Sequence, residues 1–235
     1  MKIDPTHPST IPLTKEQIRE EISGRVNRIS NEFSQGFEFI SQFPKSVTFF
    51  GSARFTESSE HYIKACSLAG KISKTLGYTI LTGGSHGIME AANRGAFEAG
   101  GESVGLNIRL PKEQSGNKYT TASSEFSYFF ARKVALSFAA EAYIFFPGGF
   151  GTLDEFFEII TLVQTHKIRK VPIFLVGKDY WEPLNKFIKE NIFELHKAIG
   201  EHDMELYSIT DDDEKIISTI RQTPVHDGHI HSKKE

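Results

Sequence analysis

Three glycines in four positions, Gly148, Gly149 and Gly151, separate an apolar run from a helix-like one in FFPGGFGTLDEFFEII, residues 145–160. Glycines there let backbone N–H groups approach a ligand with no Cβ in the way, and the helix start beside them adds partial positive charge suited to a phosphate. The plainer reading is a tight strand-to-helix turn. Thr152 and Glu155 likewise read two ways. They fit a capping box, with the Glu155 carboxylate reaching back to the Thr152 backbone N–H. Or Glu155 faces a ligand, which beside a phosphate requires a cation. Arg132 and Lys133 in YFFARKV supply that charge. A guanidinium can hold a carboxylate and an oxyanion through its planar fork. Lys133 also fits a plain solvated face.

Such groups need a scaffold that brings distant loops together. From residue 44 onward, apolar runs without polar alternation (SVTFFGS, YTILTGG, ESVGLNI, AYIFFP and VPIFLVG) alternate with helical stretches. That pattern predicts an α/β, Rossmann-like, doubly wound parallel sheet covered on both faces. In such sheets ligands bind beyond the carboxyl ends of the strands. Three of those ends carry glycine turns: Gly51 with Ser52, Gly83 with Gly84, and the 148–152 loop. The segment LPKEQSGNKYTTASSEF is polar and turn-rich, and reads as a surface loop.

Ahead of this unit, a polar, proline-punctuated lead-in gives way to Ile18, Ile22, Val26, Ile29, Phe33, Phe37 and Ile40 at helical spacing. The pattern Thr14-x-x-Gln17 opens the helix, and Gly24 and Gly36 are points where it could break. The expected organisation is an extension over 1–43, a nucleotide-binding catalytic domain over 44–222 and a disordered tail over 223–235. The apolar stripe must be buried against its own domain or another subunit.

Composition narrows the function classes. A formal charge of −3 leaves no overall basic field to gather nucleic acid or an anionic membrane. A single cysteine, Cys66, excludes an internal disulfide framework and fits the cytoplasm. No stretch reads as a signal peptide or a membrane span. The dinucleotide fingerprint is missing too: the first turn reads GSARF, and the second strand ends in LTGG instead of an acid. A mononucleotide or sugar phosphate suits the single phosphate loop better. His226, His229 and His231 lie in a charged terminal stretch, which is weak support for a metal site. No metal or organic cofactor is expected, and Trp181 reads as packing.

TGGSHGIMEAANRGAFEAGG, FFARK and PGGFGTLDEFFEIITLVQ together resemble the Lonely Guy (LOG) family, formerly labelled lysine decarboxylases. Its signature is P-G-G-x-G-T-x-x-E preceded by an R-K pair, and the likeness spans 47–192. The resemblance implies a hydrolase of nucleoside 5'-monophosphates, AMP or cytokinin riboside monophosphates, yielding free base and ribose 5-phosphate and, in some members, active cytokinin. It implies Arg132 and Glu155 as the essential pair, with Gly148, Gly149, Gly151 and Thr152 around the phosphate. Lys133, Thr161 and Glu113 are further implied contacts, His86 lies on a ligand-facing turn without a proton-transfer role, and at least a homodimer is expected. Plant members carry methionine and histidine before the R-K pair, where this chain has Phe129, Phe130 and Ala131. The long bacterial subgroup is the better match.

The chemistry agrees with that reading. Cleaving a ribosyl C–N bond passes through an oxocarbenium-like state, which a carboxylate near the ribose can stabilise. A different class of function, a nucleotide sensor or carrier without turnover, needs the glycine loop but not the Arg132 and Glu155 pair.

Overall fold

The computed structural model describes residues 14–109, 116–138 and 140–225. Seven parallel strands form one sheet: β1 (Ser46–Phe50), β2 (Thr79–Thr82), β3 (Ser103–Ile108), β4 (Ala122–Phe126), β5 (Ala142–Phe145), β6 (Ile173–Leu175) and β7 (Ser208–Ile209). Their order is β4-β3-β2-β1-β5-β6-β7. The chain runs outward from β1 to β4, then returns to the other side of β1 to lay down β5. The order therefore reverses between β1 and β5, and the loops after those strands part to open a crevice.

Helices cover both faces. On one face lie α2 (Glu60–Leu76), α3 (Ile88–Glu98) and α7 (Asp213–Gln222), burying Tyr62, Leu68, Ile72, Ile88 and Ile216 against Val47, Phe49 and Ile144. On the other lie α1 (Lys15–Ile40), α4 (Phe129–Phe138), α5 (Phe150–Gln164) and α6 (Lys178–Phe187), which continues into a π-helical turn at Ile188–Leu195. Every strand of β1, β2 and β5 is buried along its whole length. That is why these segments read as unbroken apolar runs.

Two parts of the sheet depart from the sequence reading. β4 lies inside the segment expected to be a surface loop, paired with β3 from Val104↔Ala122 to Ile108↔Phe126. It is an edge strand whose Ser123 and Glu125 face outward, so its alternation resembles a polar loop. The two-residue β7 is too short to leave any periodic signal.

α1 forms with its capping box intact: the Gln17 N–H donates to Thr14 Oγ1 at 3.2 Å and the Thr14 N–H to Gln17 Oε1 at 2.9 Å. It runs unbroken through Gly24 and Gly36. Its C-terminal half docks on the domain through Phe33, Phe37 and Ile40, while Ile18, Ile22 and Val26 stay exposed. α5 is anchored by Phe156, whose fully buried ring meets Phe145, Trp181 and Tyr207 at 5.6, 5.5 and 5.3 Å. Truncating such a ring to alanine costs about 3–5 kcal/mol. This packing fixes the helix whose first turns carry Thr152 and Glu155. No helix among the described residues is long and apolar enough to cross a membrane.

Candidate active site

The crevice between β1 and β5 is built by backbone contacts between its loops. The Ser52 N–H donates to the Pro147 carbonyl at 3.0 Å, and the Ser52 carbonyl accepts from the Ile88 N–H at 3.0 Å. Three loops, after β1, β2 and β5, are thereby tied into one rim. Gly84 turns with φ +70°, its N–H donating to Thr82 Oγ1 at 2.9 Å. Gly83 passes beneath Arg132, 3.5 Å separating Nη1 from where a Cβ would stand.

In the glycine loop, α5 begins at Phe150 with Gly149 as its N-cap. The Thr152 and Leu153 N–H groups donate to the Gly149 carbonyl at 3.0 and 3.1 Å. Thr152 therefore sits within the first turn and Glu155 one turn further on. The capping box considered for Thr152 and Glu155 does not form, because the helix starts three residues earlier than that pairing requires. Gly148 is held to glycine by crowding, since a Cβ there would come within 2.0 Å of Thr152 Oγ1. From α6, the Tyr180 hydroxyl donates to the Gly148 carbonyl at 2.6 Å.

These loops and α4 enclose a cleft of about 990 Å³. Gly51, Ser52, Gly83, Gly148, Gly149, Gly151, Thr152, Arg132, Lys133 and Glu155 all line it. Glu155 is only 8% exposed, and its Oε2 has no hydrogen-bond partner among the described residues. Burial pushes its carboxyl up to about 7, against the pull of Lys133 and Arg132 and with a further push from Glu158 and Asp154. Arg132 Nε is likewise buried and unpartnered, and its guanidinium lies over the Phe129 ring, 5.5 Å from the centroid. Burial lowers the Arg132 pKa, and the Glu155 charge opposes that.

Lys133 is committed elsewhere. Its Nζ is 2.7 Å from Asp154 Oδ2 and 3.1 Å from Glu158 Oε2. Burial works to lower its pKa, but these two carboxylates raise it on balance. It therefore lashes α4 to α5 while contributing positive potential to Glu155.

Two expected contacts, Gly84 and Thr161, fall outside the cleft. Thr161 is on the exposed side of α5, its hydroxyl donating to the Phe157 carbonyl at 2.6 Å. Glu113 lies outside the described residues, as do His226, His229 and His231. His86 pairs with Glu90 at 2.9 Å, away from the cleft. Conversely, Met89, Phe150 and Tyr180 line it without having been singled out. Phe150, at 93% exposed within the glycine loop, left a usable signal: an aromatic residue where a plain turn favours a polar one. Among the described residues no group of three His, Cys, Asp or Glu side chains could hold a metal ion.

Comparison with known proteins gives a consistent picture. A family profile described as "Possible lysine decarboxylase" matches residues 89–220. Cytokinin riboside 5'-monophosphate phosphoribohydrolase LOG of Oryza sativa subsp. japonica is 30% identical over 152 residues, 63% of this chain and 61% of that protein. The cytokinin riboside 5'-monophosphate phosphoribohydrolase of Rhodococcoides fascians is 26% identical over 151 residues, covering 62% of this chain and 75% of that protein. The chain thus spans about three-fifths of the length of the rice relative. Among solved structures, the molybdenum cofactor carrier protein of Chlamydomonas reinhardtii superposes with a TM-score of 0.55 at 23% identity, over 76% of this chain and 97% of that one. DNA processing protein A of Streptococcus pneumoniae does so with 0.53 at 13% identity, over 80% and 64%. At such identities these two structures speak for the fold alone.

Proposed function

The chain belongs to the family described as "Possible lysine decarboxylase", whose relatives include the LOG phosphoribohydrolases, and from that premise we propose that it hydrolyses the N-glycosidic bond of nucleoside 5'-monophosphates. AMP and cytokinin riboside monophosphates are the substrates in view. The observation that carries the reading is the buried Glu155 carboxylate, whose Oε2 has no partner among the described residues, facing the same cleft as the likewise unpartnered Arg132 Nε, one helical turn from the glycine loop.

In this reading the 5'-phosphate sits on the first-turn amides of α5 and the Thr152 hydroxyl, where the helix dipole favours an anion. That anchor brings the ribose over Glu155. As the C1'–N bond breaks, its electron pair leaves with the base and the ring gains oxocarbenium character. The ionised Glu155 stabilises that charge and orients a water, whose oxygen forms the new bond to C1'. One of the water's protons ends on the departing base, and the other stays on the new C1' hydroxyl of ribose 5-phosphate. Arg132 orients Glu155, neutralises the site and keeps that carboxylate ionised in a buried setting.

A homodimer or higher homo-oligomer, formed through the exposed stripe on α1, and a cytoplasmic setting suited to one free cysteine complete the proposal. A carrier without turnover would share the glycine loop, but it has no use for a buried carboxylate with a raised pKa. The test is incubation with a panel of nucleoside 5'-monophosphates, scored for released base and ribose 5-phosphate. Release from at least one purine monophosphate is expected, and no release from any would overturn the reading.

A further inference from the structure

α1 does more than lie against the domain: its Glu32 carboxylate reaches across to the start of α4. Glu32 Oε1 accepts from the Ser127 N–H at 2.8 Å and Oε2 from the Tyr128 N–H at 3.1 Å. These amides are at the beginning of the helix that carries Arg132, where backbone donors lack an intrahelical partner. Helix starts are ordinarily capped by a residue just before them in sequence. Here the cap comes from about 95 residues away, from outside the sheet domain.

The link toward Arg132 runs through one residue. The Tyr128 N–H is held by Glu32, while the Tyr128 carbonyl accepts the Arg132 N–H at 3.2 Å, in the first turn of α4. Aromatic packing reinforces the hold: Phe33, next to Glu32, lies 6.2 Å from Phe130, whose ring is 5.3 Å from that of Tyr128. The Glu32 charge also complements the positive end of the α4 dipole. Both oxygens of one carboxylate on consecutive amides fix the direction of the helix axis as well as its position.

We infer that Glu32 is a positioning residue for Arg132, and that the extension containing α1 acts as a splint for the helix bearing the reacting guanidinium. The inference rests on the role given to Arg132 under the proposed function. A displaced first turn moves the guanidinium relative to Glu155 and the ribose, and misplacement of that order costs turnover far more than binding. The phosphate loop belongs to α5, so the substrate anchor is left in place.

The test uses the full chain carrying Glu32→Ala. Expected are faster amide hydrogen exchange over 127–132, a kcat lowered roughly tenfold or more, and a KM within about twofold of wild type. In an Arg132→Ala background, followed over long incubations, Glu32→Ala should lower kcat no further, since residues acting through one another are not additive. The same fractional loss in both backgrounds would reduce Glu32 to general stabilisation and overturn the inference. So would a wild-type kcat. Should Glu32→Ala fail to fold, Glu32→Gln retains one acceptor and places an NH2 group against the second amide; it should show a smaller loss, and a wild-type rate with unchanged exchange would refute the role. If the wild-type protein cleaves no nucleotide, the proposed function fails by itself. Exchange over 127–132 then decides this inference: unchanged protection in Glu32→Ala would remove it.

Discussion

Arg132 Nε and Glu155 Oε2 are buried in the same cleft, and neither has a hydrogen-bond partner among the described residues. Buried polar atoms are almost always satisfied, and a charged group left unsatisfied costs still more. Two such atoms of opposite charge on neighbouring helices are best explained by a ligand that completes both. The fold keeps this arrangement because α4 and α5 are bound to each other through Lys133, and α5 to the core through Phe156.

Glu155→Gln tests the catalytic half of that pair. The amide keeps the shape of the side chain and forfeits no cap, since the capping box is absent. The folded protein should retain ribose 5-phosphate binding while turnover falls roughly a hundredfold or more, the usual worth of one preorganised electrostatic group. Wild-type release of base by a folded Glu155→Gln protein would favour the carrier reading.

The raised Glu155 pKa gives two pH signatures. If the carboxylate is the active form, kcat/KM should rise with pH through an acid limb centred near 7 and level off above it. Stability runs the other way. In the unfolded chain the carboxyl loses its proton near 4.5, whereas the folded protein retains it until about 7. Between those values the folded state binds more protons, so stability falls as pH rises. Thermal denaturation of Glu155→Gln should not show that decline, and parallel pH profiles for the two proteins would contradict the buried setting of Glu155.

Lys133→Met isolates the other cation. Lys133 is the strongest influence pulling the Glu155 pKa down, so its loss should move the acid limb to higher pH. Asp154 and Glu158 would be released from α4 at the same time, with some loss of stability. A limb that moves to lower pH, or stays fixed, would show that Glu155 does not govern it.

How far the sequence carried the reading depends on whether a feature is local. Buried parallel strands announce themselves as apolar runs, and the glycine loop with its neighbouring R-K pair announces a rim. β4 was hidden because an edge strand exposes one side, and Ser123 and Glu125 mimic a loop. A cap at Thr152 places the start of α5 three residues too late, because Thr152 is a stronger N-cap former than Gly149, while the crowding at Gly148 that puts Thr152 inside the helix is a three-dimensional fact. Thr161 is on a helix whose N-terminus does line the cleft, and only the helical rotation decides that its side chain points away. Glu32 and Tyr180 are placed by contacts across 95 and 32 residues, which periodicity cannot register.

Assembly is open to direct measurement. Ile18, Ile22 and Val26 are 43%, 58% and 57% exposed along one face of α1, more apolar surface than a solvated helix face requires. Sedimentation at micromolar concentration should show at least a dimer, and the double substitution Ile22→Glu with Val26→Glu should shift it toward monomer. A wild-type protein that sediments only as a monomer would refute the assembly.

Tyr180→Phe probes how the phosphate loop is held. The Tyr180 ring packs against Trp181, 4.8 Å between centroids, and the residue also borders a second cavity of about 950 Å³. Crowding alone therefore does not fix it, and its hydroxyl bond to the Gly148 carbonyl is what orients the following peptide. A peptide unit is planar and, among the described residues, always trans, so holding the Gly148 carbonyl toward Tyr180 turns the Gly149 N–H the opposite way. Phenylalanine keeps the ring and removes that one bond. The expected result is a severalfold higher KM for a nucleoside monophosphate, a matching loss of ribose 5-phosphate affinity by calorimetry, and a kcat within about twofold, because a bond that serves binding equally in ground and transition states changes KM alone. Cleavage of the corresponding nucleoside, which lacks the phosphate and should be far slower in wild type, should be indifferent to the substitution. Equal effects of Tyr180→Phe on nucleotide and nucleoside, or an unchanged affinity for ribose 5-phosphate, would place the anion elsewhere than on the Gly149 amide.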